Sequence, residues 1–327
     1  MKVIQVGIGG MGNAWLRAVL ESPNVEFAGF VEVSDAIAAA QVERYHLDGS
    51  RIYRTLSEAL AAVDADAVIN VTPPQFHKEV SLTALEAGLP VLSEKPLADT
   101  FDAALAIVEK SNQTGLLHMV AQNRRYMVDT QTLKQALATP ELGPIGAATV
   151  GFFRGPHFGG FREEMPYPLI IDMSIHHFDL MRFFLERDPV SVFGRSWNPP
   201  WSWYKGDASA AVTLEFEGGI YITYSASWCS QARDTSWNAD WRFECANGVV
   251  VMQDEQVYTQ LTGQEPVLVT PASPPRTGQA YLLQEFYEAV TTGKPPATTC
   301  QDNLKSLAIV FDVVKSFETG EVVKSSA

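Results

Sequence analysis

The 327-residue sequence has few cysteines and no long apolar run. Its three cysteines, Cys229, Cys245 and Cys300, show no C-x-x-C or Cys/His spacing, so we expect neither a structural zinc site nor a disulfide framework. All three are predicted to be buried and to pack as small hydrophobic side chains. The apolar runs have the length of strands and fall far short of the ~20 residues that a membrane span needs.

Basic residues are also scarce, with 24 lysines and arginines against 38 aspartates and glutamates, a formal net charge of −14. Such a chain repels a phosphate backbone, and no basic stripe offsets this, so we expect no nucleic-acid partner. The N-terminal stretch MKVIQVGIGG lacks the apolar core and the cleavage site of a signal peptide, which predicts a cytoplasmic protein without a membrane partner. The length predicts two domains.

A glycine-rich loop follows the first predicted strand. In KVIQVGIGGMG, Gly7, Gly9 and Gly12 have the G-x-G-x-x-G spacing, and a helical pattern comes next. Gly7 permits a tight turn, Gly9 a close approach to a pyrophosphate, and Gly12 close packing of helix on strand. The helix N-terminus then offers free N–H groups to the phosphates. Because glycine-rich turns are also common for structural reasons, the motif alone leaves a purely structural turn open.

An acidic residue follows the second predicted strand, EFAGFVEV, and strengthens the cofactor interpretation. Glu32 lies twenty residues beyond Gly12, where a carboxylate typically accepts hydrogen bonds from the adenosine ribose hydroxyls. It would repel a 2′-phosphate, and no arginine lies within several residues, so the sequence favours NAD over NADP. The alternative is an exposed acid at a strand end.

Predicted strands and helices alternate up to about residue 121, which indicates a parallel doubly wound sheet. Ligands bind such sheets at the carboxyl ends of the strands. Thr72 follows the strand DADAVINV, and Lys95 follows the apolar run Pro90–Leu92 within SEKPLADT. We therefore expect the Lys95 ammonium to point into the ligand-binding crevice.

The pattern changes after residue 121. Consecutive strands with turn signals at EGG and ANG predict an antiparallel sheet, and the last segments are helical. The sequence thus predicts a dinucleotide-binding domain over residues 1–121 and an α+β domain over residues 122–327. The second domain would carry a large, mainly antiparallel open sheet and serve substrate binding and oligomerisation.

Polar residues interrupt the apolar segment LIIDMSIHHFDLMRFFL, residues 169–185. Asp172, His176 and Asp179 have the spacing i, i+4 and i+7 and would share one face of a helix. A carboxylate one turn from a histidine can orient the imidazole or share a substrate with it. A histidine capped by acids on a half-exposed face is the alternative. His177 lies on another face and is predicted to be structural.

A loop rich in glycine and aromatic residues, GPHFGGFREEMPYP, precedes this segment. Arg154, His157 and Arg162 in or beside it predict a substrate-specificity lid, and a solvent-exposed connection is equally compatible with the sequence. Asn123 and Arg125 end the last parallel strand, and we expect them to shape the cofactor crevice.

Taken together, these motifs resemble the glucose–fructose oxidoreductase / inositol dehydrogenase / MocA (Gfo/Idh/MocA) family over essentially the whole chain. The motifs that carry the resemblance are the glycine loop, the Thr72-Pro73 turn followed by His77, the tripeptide Glu94-Lys95-Pro96, NRRY at 123–126, and the D-x-x-x-H-x-x-D pattern from Asp172 to Asp179. Two departures are that Ser174 replaces the usual glycine and that PYP at 166–168 replaces a glycine triplet. Substrate identity therefore does not carry over.

The resemblance implies a Rossmann domain and an oxidoreductase that binds NAD, with NADP less favoured, and that oxidises a secondary alcohol of a sugar, polyol or inositol-like substrate. It implies Lys95, His176 and Asp172 as catalytic residues, no metal, a peptide bond before Pro96 that is often cis, and a homodimer or homotetramer. A redox-neutral NAD-requiring glycosidase or epimerase and a non-catalytic dinucleotide-binding regulator stay open as alternatives. The cofactor-binding positions are Gly7, Gly9, Gly10, Met11, Gly12, Glu32, Thr72, Pro73, His77, Glu94, Lys95 and Asn123, and the substrate-binding positions are Lys95, Arg154, His157, Asp172 and His176.

Overall fold

A computed structural model describes residues 1–326 and divides them into two compact units. Unit 1 comprises Met1–Asn123 and Arg276–Leu304, and unit 2 comprises Arg124–Pro275 and the chain from Lys305 on. The sequence predicts one boundary, after residue 121. The structure divides the chain close to that point, and it also assigns residues 276–304 to the first unit.

The secondary structure follows the predicted alternation in the first third of the chain. The strands are β1 (Lys2–Val6), β2 (Glu26–Val31), β3 (Ile52–Tyr53), β4 (Ala67–Asn70), β5 (Val91–Ser93), β6 (His118–Val120), β7 (Ile145–Phe153), β8 (Pro189–Trp197), β9 (Ser209–Phe216), β10 (Ile220–Ser227), β11 (Asp240–Cys245), β12 (Gly248–Gln253), β13 (Gln256–Leu261), β14 (Val267–Leu268) and β15 (Val323–Lys324). The helices are α1 (Gly12–Leu20), α2 (Asp35–Tyr45), α3 (Leu56–Ala62), α4 (His77–Glu86), α5 (Phe101–Thr114), α6 (Val128–Leu137), α7 (Phe161–Glu164), α8 (Ile175–Leu185), α9 (Gly278–Thr292) and α10 (Cys300–Thr319).

Unit 1 is built on a parallel sheet with the strand order β3-β2-β1-β4-β5-β6. Its central strands are mostly apolar, as expected for a sheet buried on both faces, and Ile4, Val68 and Val91 are fully buried in its core. The order reverses between β1 and β4, the point at which doubly wound sheets bind dinucleotides. The predicted α/β Rossmann fold is confirmed.

Unit 2 is built on a nine-stranded sheet with the order β14-β13-β12-β11-β7-β10-β9-β8-β15. The pairing of β7 with β10 is parallel, and the pairings among the other neighbours are antiparallel. Apolar and polar residues alternate along β9 and β10, so one face of these strands is buried. Helix α8 packs on the sheet, with Phe178 against Tyr224 on β10 and Phe184 against Trp241 on β11. The predicted mainly antiparallel sheet is confirmed.

The cysteines are free thiols. Cys229 and Cys300 are buried, as the sequence predicts, whereas Cys245 is half-buried and the prediction is wrong there. The cause is local, because the register of β11 against β7 shifts between Glu244 and Cys245, where the strand reaches its turn. Among residues 1–326, no helix combines the length and the apolar character required to cross a membrane.

Candidate active site

The glycine-rich loop between β1 and α1 is held tightly at its two ends and is open in its middle. Gly7 has a φ of +89°, and a Cβ there would lie 2.7 Å from the carbonyl oxygen of Val71. A Cβ on Gly12 would lie 2.7 Å from the carbonyl oxygen of Gly7. The side-chain amide of Gln5 donates to the carbonyls of Gly7 and Gly12, at 3.0 and 3.1 Å. These contacts explain why both end positions are glycine.

The middle of the loop fits a pyrophosphate. A Cβ on Gly10 would meet no atom within 4 Å, and one on Gly9 would meet Ile37 Cδ1 at 3.6 Å, so both positions border open space. Met11 precedes α1, and no side chain caps that end of the helix. An uncapped helix N-terminus behind an open glycine face supplies the N–H donors and the dipole that bind phosphate groups.

Glu32 follows β2 and lies against this loop. Its Oε2 atom accepts from the backbone N–H of Ile8 at 3.2 Å, and Oε1 accepts from that of Ser34 at 2.9 Å. The residue is 8% exposed. Glu32 is therefore an ordered carboxylate beside the phosphate-binding turn, which excludes the alternative of an exposed acid at a strand end.

His77 joins two turns at the carboxyl ends of β4 and β5. Its Nε2 atom lies 2.8 Å from the carbonyl oxygen of Thr72, and its Nδ1 atom lies 2.7 Å from that of Pro96. The ring is fully buried, and burial lowers the pKa of His77. The contact of His77 with the Thr72 carbonyl therefore orders the backbone of the Thr72-Pro73 turn. The Thr72 hydroxyl donates to Asn70 Oδ1 at 2.7 Å, which orders the same turn.

Lys95 is half-buried at the carboxyl end of β5, and the bond to Pro96 is cis. The backbone N–H of Lys95 donates to Glu94 Oε2 at 3.2 Å, while the other Glu94 oxygen accepts from Trp15 Nε1 on α1 at 2.7 Å. Burial raises the pKa of Glu94. Glu94 therefore connects Lys95 to the helix that follows the glycine loop. Asn123, another predicted cofactor residue, is half-buried at the end of unit 1.

The predicted continuous α-helix over residues 169–185 is wrong in its first part. Leu169–Ser174 form a π-helix, and α8 begins at Ile175. The Ser174 hydroxyl lies 3.1 Å from the Leu169 carbonyl and 2.9 Å from the Tyr224 hydroxyl, which stabilises the wider turn. Asp172 therefore lies in the π-helical segment, whereas His176 lies in the first turn of α8 and is 6% exposed.

Asp179 and Arg125 also differ from their predicted roles. Arg125 donates from Nε and Nη2 to the two carboxylate oxygens of Asp179, each at 2.6 Å, and both side chains are buried. The Ser306 hydroxyl adds a third hydrogen bond, at 2.7 Å. Because this pair satisfies the buried carboxylate, Asp179 serves the packing of unit 2 rather than orienting the imidazole of His176.

Asp172 contacts the aromatic loop. Arg162 Nε donates to Asp172 Oδ2 at 2.6 Å, and the Arg162 guanidinium lies over the rings of Phe158 and Phe161. The loop is therefore more than the exposed connection that the sequence allows, since it orders a predicted catalytic carboxylate. No local sequence signal marks this ion pair, because Arg162 and Asp172 lie in two separate helical elements.

The other predicted loop residues lie in the same aromatic cluster of unit 2. The His157 ring stacks on Trp203, with centroids 3.8 Å apart. Arg154 lies over Trp237 and donates to the carbonyl oxygen of Thr235 at 2.8 Å. These contacts hold His157 and Arg154 against aromatic rings.

His177 has the structural environment that the sequence predicts. Its ring nitrogens lie 2.9 Å from the Tyr224 hydroxyl and 3.2 Å from the carbonyl oxygen of Trp237, and its ring packs on Phe152. Burial lowers the pKa of His177 to about 3, so the ring is neutral at pH 7. Tyr224 and Trp237 are 47 and 60 residues from His177 in sequence, so no local pattern indicates these contacts.

A metal site is not evident: within the described chain, residues 1–326, no three His, Cys, Asp or Glu residues lie together as metal ligands would. Lys95 belongs to unit 1, and Asp172 and His176 belong to unit 2.

Comparison with known proteins decides the family. The model of an oxidoreductase family with an NAD-binding Rossmann fold, Gfo/Idh/MocA, matches residues 1–122, and the model of a C-terminal domain of that family matches residues 130–251. The chain belongs to the Gfo/Idh/MocA family. It is an oxidoreductase with an NAD-binding Rossmann domain.

Individual relatives cover nearly the whole chain. An uncharacterised protein of Sinorhizobium fredii, y4oX, is 31% identical, over 99% of this chain and 95% of its own length. Inositol 2-dehydrogenase 1 of Paenarthrobacter aurescens is 28% identical, over 99% of this chain and 96% of its own. A crystal structure of an oxidoreductase from Agrobacterium radiobacter with NAD⁺, L-tartaric acid and magnesium superposes with a TM-score of 0.91 at 18% identity, covering 99% of this chain and 98% of that one. This last likeness shows the shared fold.

Proposed function

We propose that the protein is an NAD-dependent dehydrogenase that oxidises a secondary alcohol of a sugar, polyol or inositol-like substrate. The observation that carries the proposal is the position of Lys95 at the carboxyl end of β5, held through Glu94 to the helix behind an open glycine loop. The chain also retains Asp172 and His176. The relative named inositol 2-dehydrogenase supports the class of substrate.

The proposed reaction removes a hydride from the alcohol carbon and a proton from its oxygen, leaving a carbonyl group. NAD, held at the glycine loop and Glu32, would supply the hydride acceptor. His176 takes the hydroxyl proton as general base. Lys95 donates a hydrogen bond to the same oxygen and stabilises its developing negative charge. Family resemblance also permits the reverse division of proton transfer between these two residues.

Asp172 would hold a second substrate hydroxyl, with Arg162 fixing the carboxylate. The ion pair at 2.6 Å restricts the Asp172 rotamer and so orders the carboxylate. The stacked pair His157–Trp203 supplies an aromatic face within unit 2. These contacts favour a ligand with several hydroxyl groups.

The predicted assembly and location belong to the same proposal. Phe193, Trp197 and Tyr221 are large and exposed, and the strand register places them on one face of the nine-stranded sheet. Exposed aromatic residues on one face of a sheet suit a homodimer or homotetramer. We propose such an assembly, acting in the cytoplasm.

The test is a screen of sugars, polyols and inositols with NAD and NADP in parallel. We expect net accumulation of the reduced nicotinamide with at least one substrate, and faster with NAD than with NADP. Conversion of a substrate with no net reduction would instead assign a redox-neutral enzyme. Cofactor binding without conversion of any compound in the panel would assign a dinucleotide-binding regulator.

A further inference from the structure

An arginine that is remote in sequence lies at the carboxyl end of β2. Strand β3 pairs with β2 so that Tyr53 lies opposite Val31, and the next residue, Arg54, therefore reaches the segment after β2. Arg54 Nη1 donates to the carbonyl oxygen of Val33 at 2.6 Å. The sequence predicts that no arginine lies near Glu32. That prediction is wrong, because Arg54 is distant from Glu32 in sequence but close to it in the folded chain.

Acidic groups surround this arginine. Arg54 Nη2 forms an ion pair with Asp35, the first residue of α2, and the Arg54 backbone N–H donates to Glu58 Oε2 at 3.0 Å. Together with Glu32 beside the glycine loop, Asp35 and Glu58 place three carboxylates near the one guanidinium at this end of the sheet. The local charge is therefore negative despite the arginine.

The same place has the features of an adenosine site. Val33 and Ile37 are exposed apolar side chains, and Ile37 Cδ1 lies 3.6 Å from the position that a Cβ on Gly9 would occupy. In doubly wound sheets, an acid at the end of β2 contacts the ribose 2′-hydroxyl, and a nearby arginine accommodates a 2′-phosphate. This chain has both groups, Glu32 and Arg54. Which of them is free to contact the ribose 2′ position therefore determines whether NAD or NADP binds more tightly.

We propose that Asp35 makes the site selective for NAD by engaging Arg54, and that Arg54 binds a 2′-phosphate once Asp35 is removed. The inference deepens the cofactor part of the proposed function and needs no substrate. The Arg54 and Asp35 side chains are 50% and 88% exposed, so both atoms of the pair are reachable by a ligand. A 2′-phosphate that entered the native site would have to displace Asp35 and would still meet the charges of Glu32 and Glu58.

The experiment measures direct binding of NADH and NADPH by nicotinamide fluorescence, without substrate, for the native protein, Asp35→Asn, Arg54→Ala and the double variant. We expect the ratio Kd(NADPH)/Kd(NADH) to fall by about tenfold or more in Asp35→Asn, which is the size of one hydrogen bond gained to a charged group. The double variant should not show this lower ratio, because it lacks the arginine that would bind the 2′-phosphate. Thermal unfolding shows whether each variant is folded.

Asp48→Asn is the matched control, since Asp48 pairs with Arg51 just before β3 and its replacement makes the same change in net charge. In Asp48→Asn the ratio Kd(NADPH)/Kd(NADH) should change far less than in Asp35→Asn. The proposal is overturned if the native protein binds NADPH as tightly as NADH, if folded Asp35→Asn keeps the native ratio, or if the gain persists in the double variant. A substrate screen without any hit would leave these ratios unaffected, so failure of the two proposals can be distinguished.

Discussion

Replacing His176 by alanine should lower kcat by about 10²–10⁴-fold on the substrate that the screen identifies, the range typical of a lost general base. His176 is 6% exposed in the first turn of α8, a position where the helix fixes its backbone. Removing the imidazole leaves the alcohol proton without its proposed acceptor, so chemistry slows more than binding does. Steady-state kinetics with the reduced nicotinamide as readout measure the effect.

Lys95→Ala should have an effect of similar size, because the variant loses the proposed donor to the substrate oxygen. Binding of NADH, measured separately by fluorescence, should persist in both variants, since the glycine loop and Glu32 are unchanged. Lys78→Ala is the matched control: Lys78 is exposed on α4, one residue beyond His77, and its loss should leave kcat close to native. Near-native rates in both Lys95→Ala and His176→Ala would refute the assigned roles.

Asp179→Ala should destabilise the protein by about 3–5 kcal/mol, which makes it the largest single stability effect that we expect. The side chains of Arg125 and Asp179 are 6% and 1% exposed and share two hydrogen bonds of 2.6 Å. Without the carboxylate, a buried guanidinium loses its bidentate acceptor and cannot regain the hydration that it had in the unfolded chain. Urea denaturation followed by circular dichroism measures the loss.

The control for this prediction is an exposed pair in the same unit. Arg242 and Glu244 are 50% and 53% exposed and lie 2.6 Å apart on β11. Because solvent screens such pairs, Glu244→Ala should cost at most about 1 kcal/mol. Equal losses of unfolding free energy in Asp179→Ala and Glu244→Ala would show that the buried pair contributes no more to stability than the exposed one.

The sequence could predict the parts of the fold that local periodicity determines. The apolar strands and the helices between them in unit 1 follow from alternation, and the tight packing at Gly7 and Gly12 follows from their spacing. In unit 2, turn signals and alternating residues predict the strands. The order of the strands in that sheet, with β7 parallel to β10, is set by long-range pairing and has no local pattern.

The environment of the candidate site could be predicted less well, because it depends on contacts between distant segments. Periodicity predicts an α-helix from residue 169, but residues 169–174 form a π-helix, in which the Ser174 hydroxyl contacts the Leu169 carbonyl and Tyr224. Arg54 reaches the end of β2 through strand pairing, which the distance along the chain conceals.

The measurement that bears most directly on the proposed reaction is isotope transfer from substrate to cofactor. A substrate carrying deuterium at the carbon to be oxidised would be incubated with the protein and NAD, and the reduced nicotinamide analysed by mass spectrometry and NMR. Direct hydride transfer predicts one deuterium at C4 of the nicotinamide. Oxidised product accompanied by NADH that contains no deuterium would contradict it.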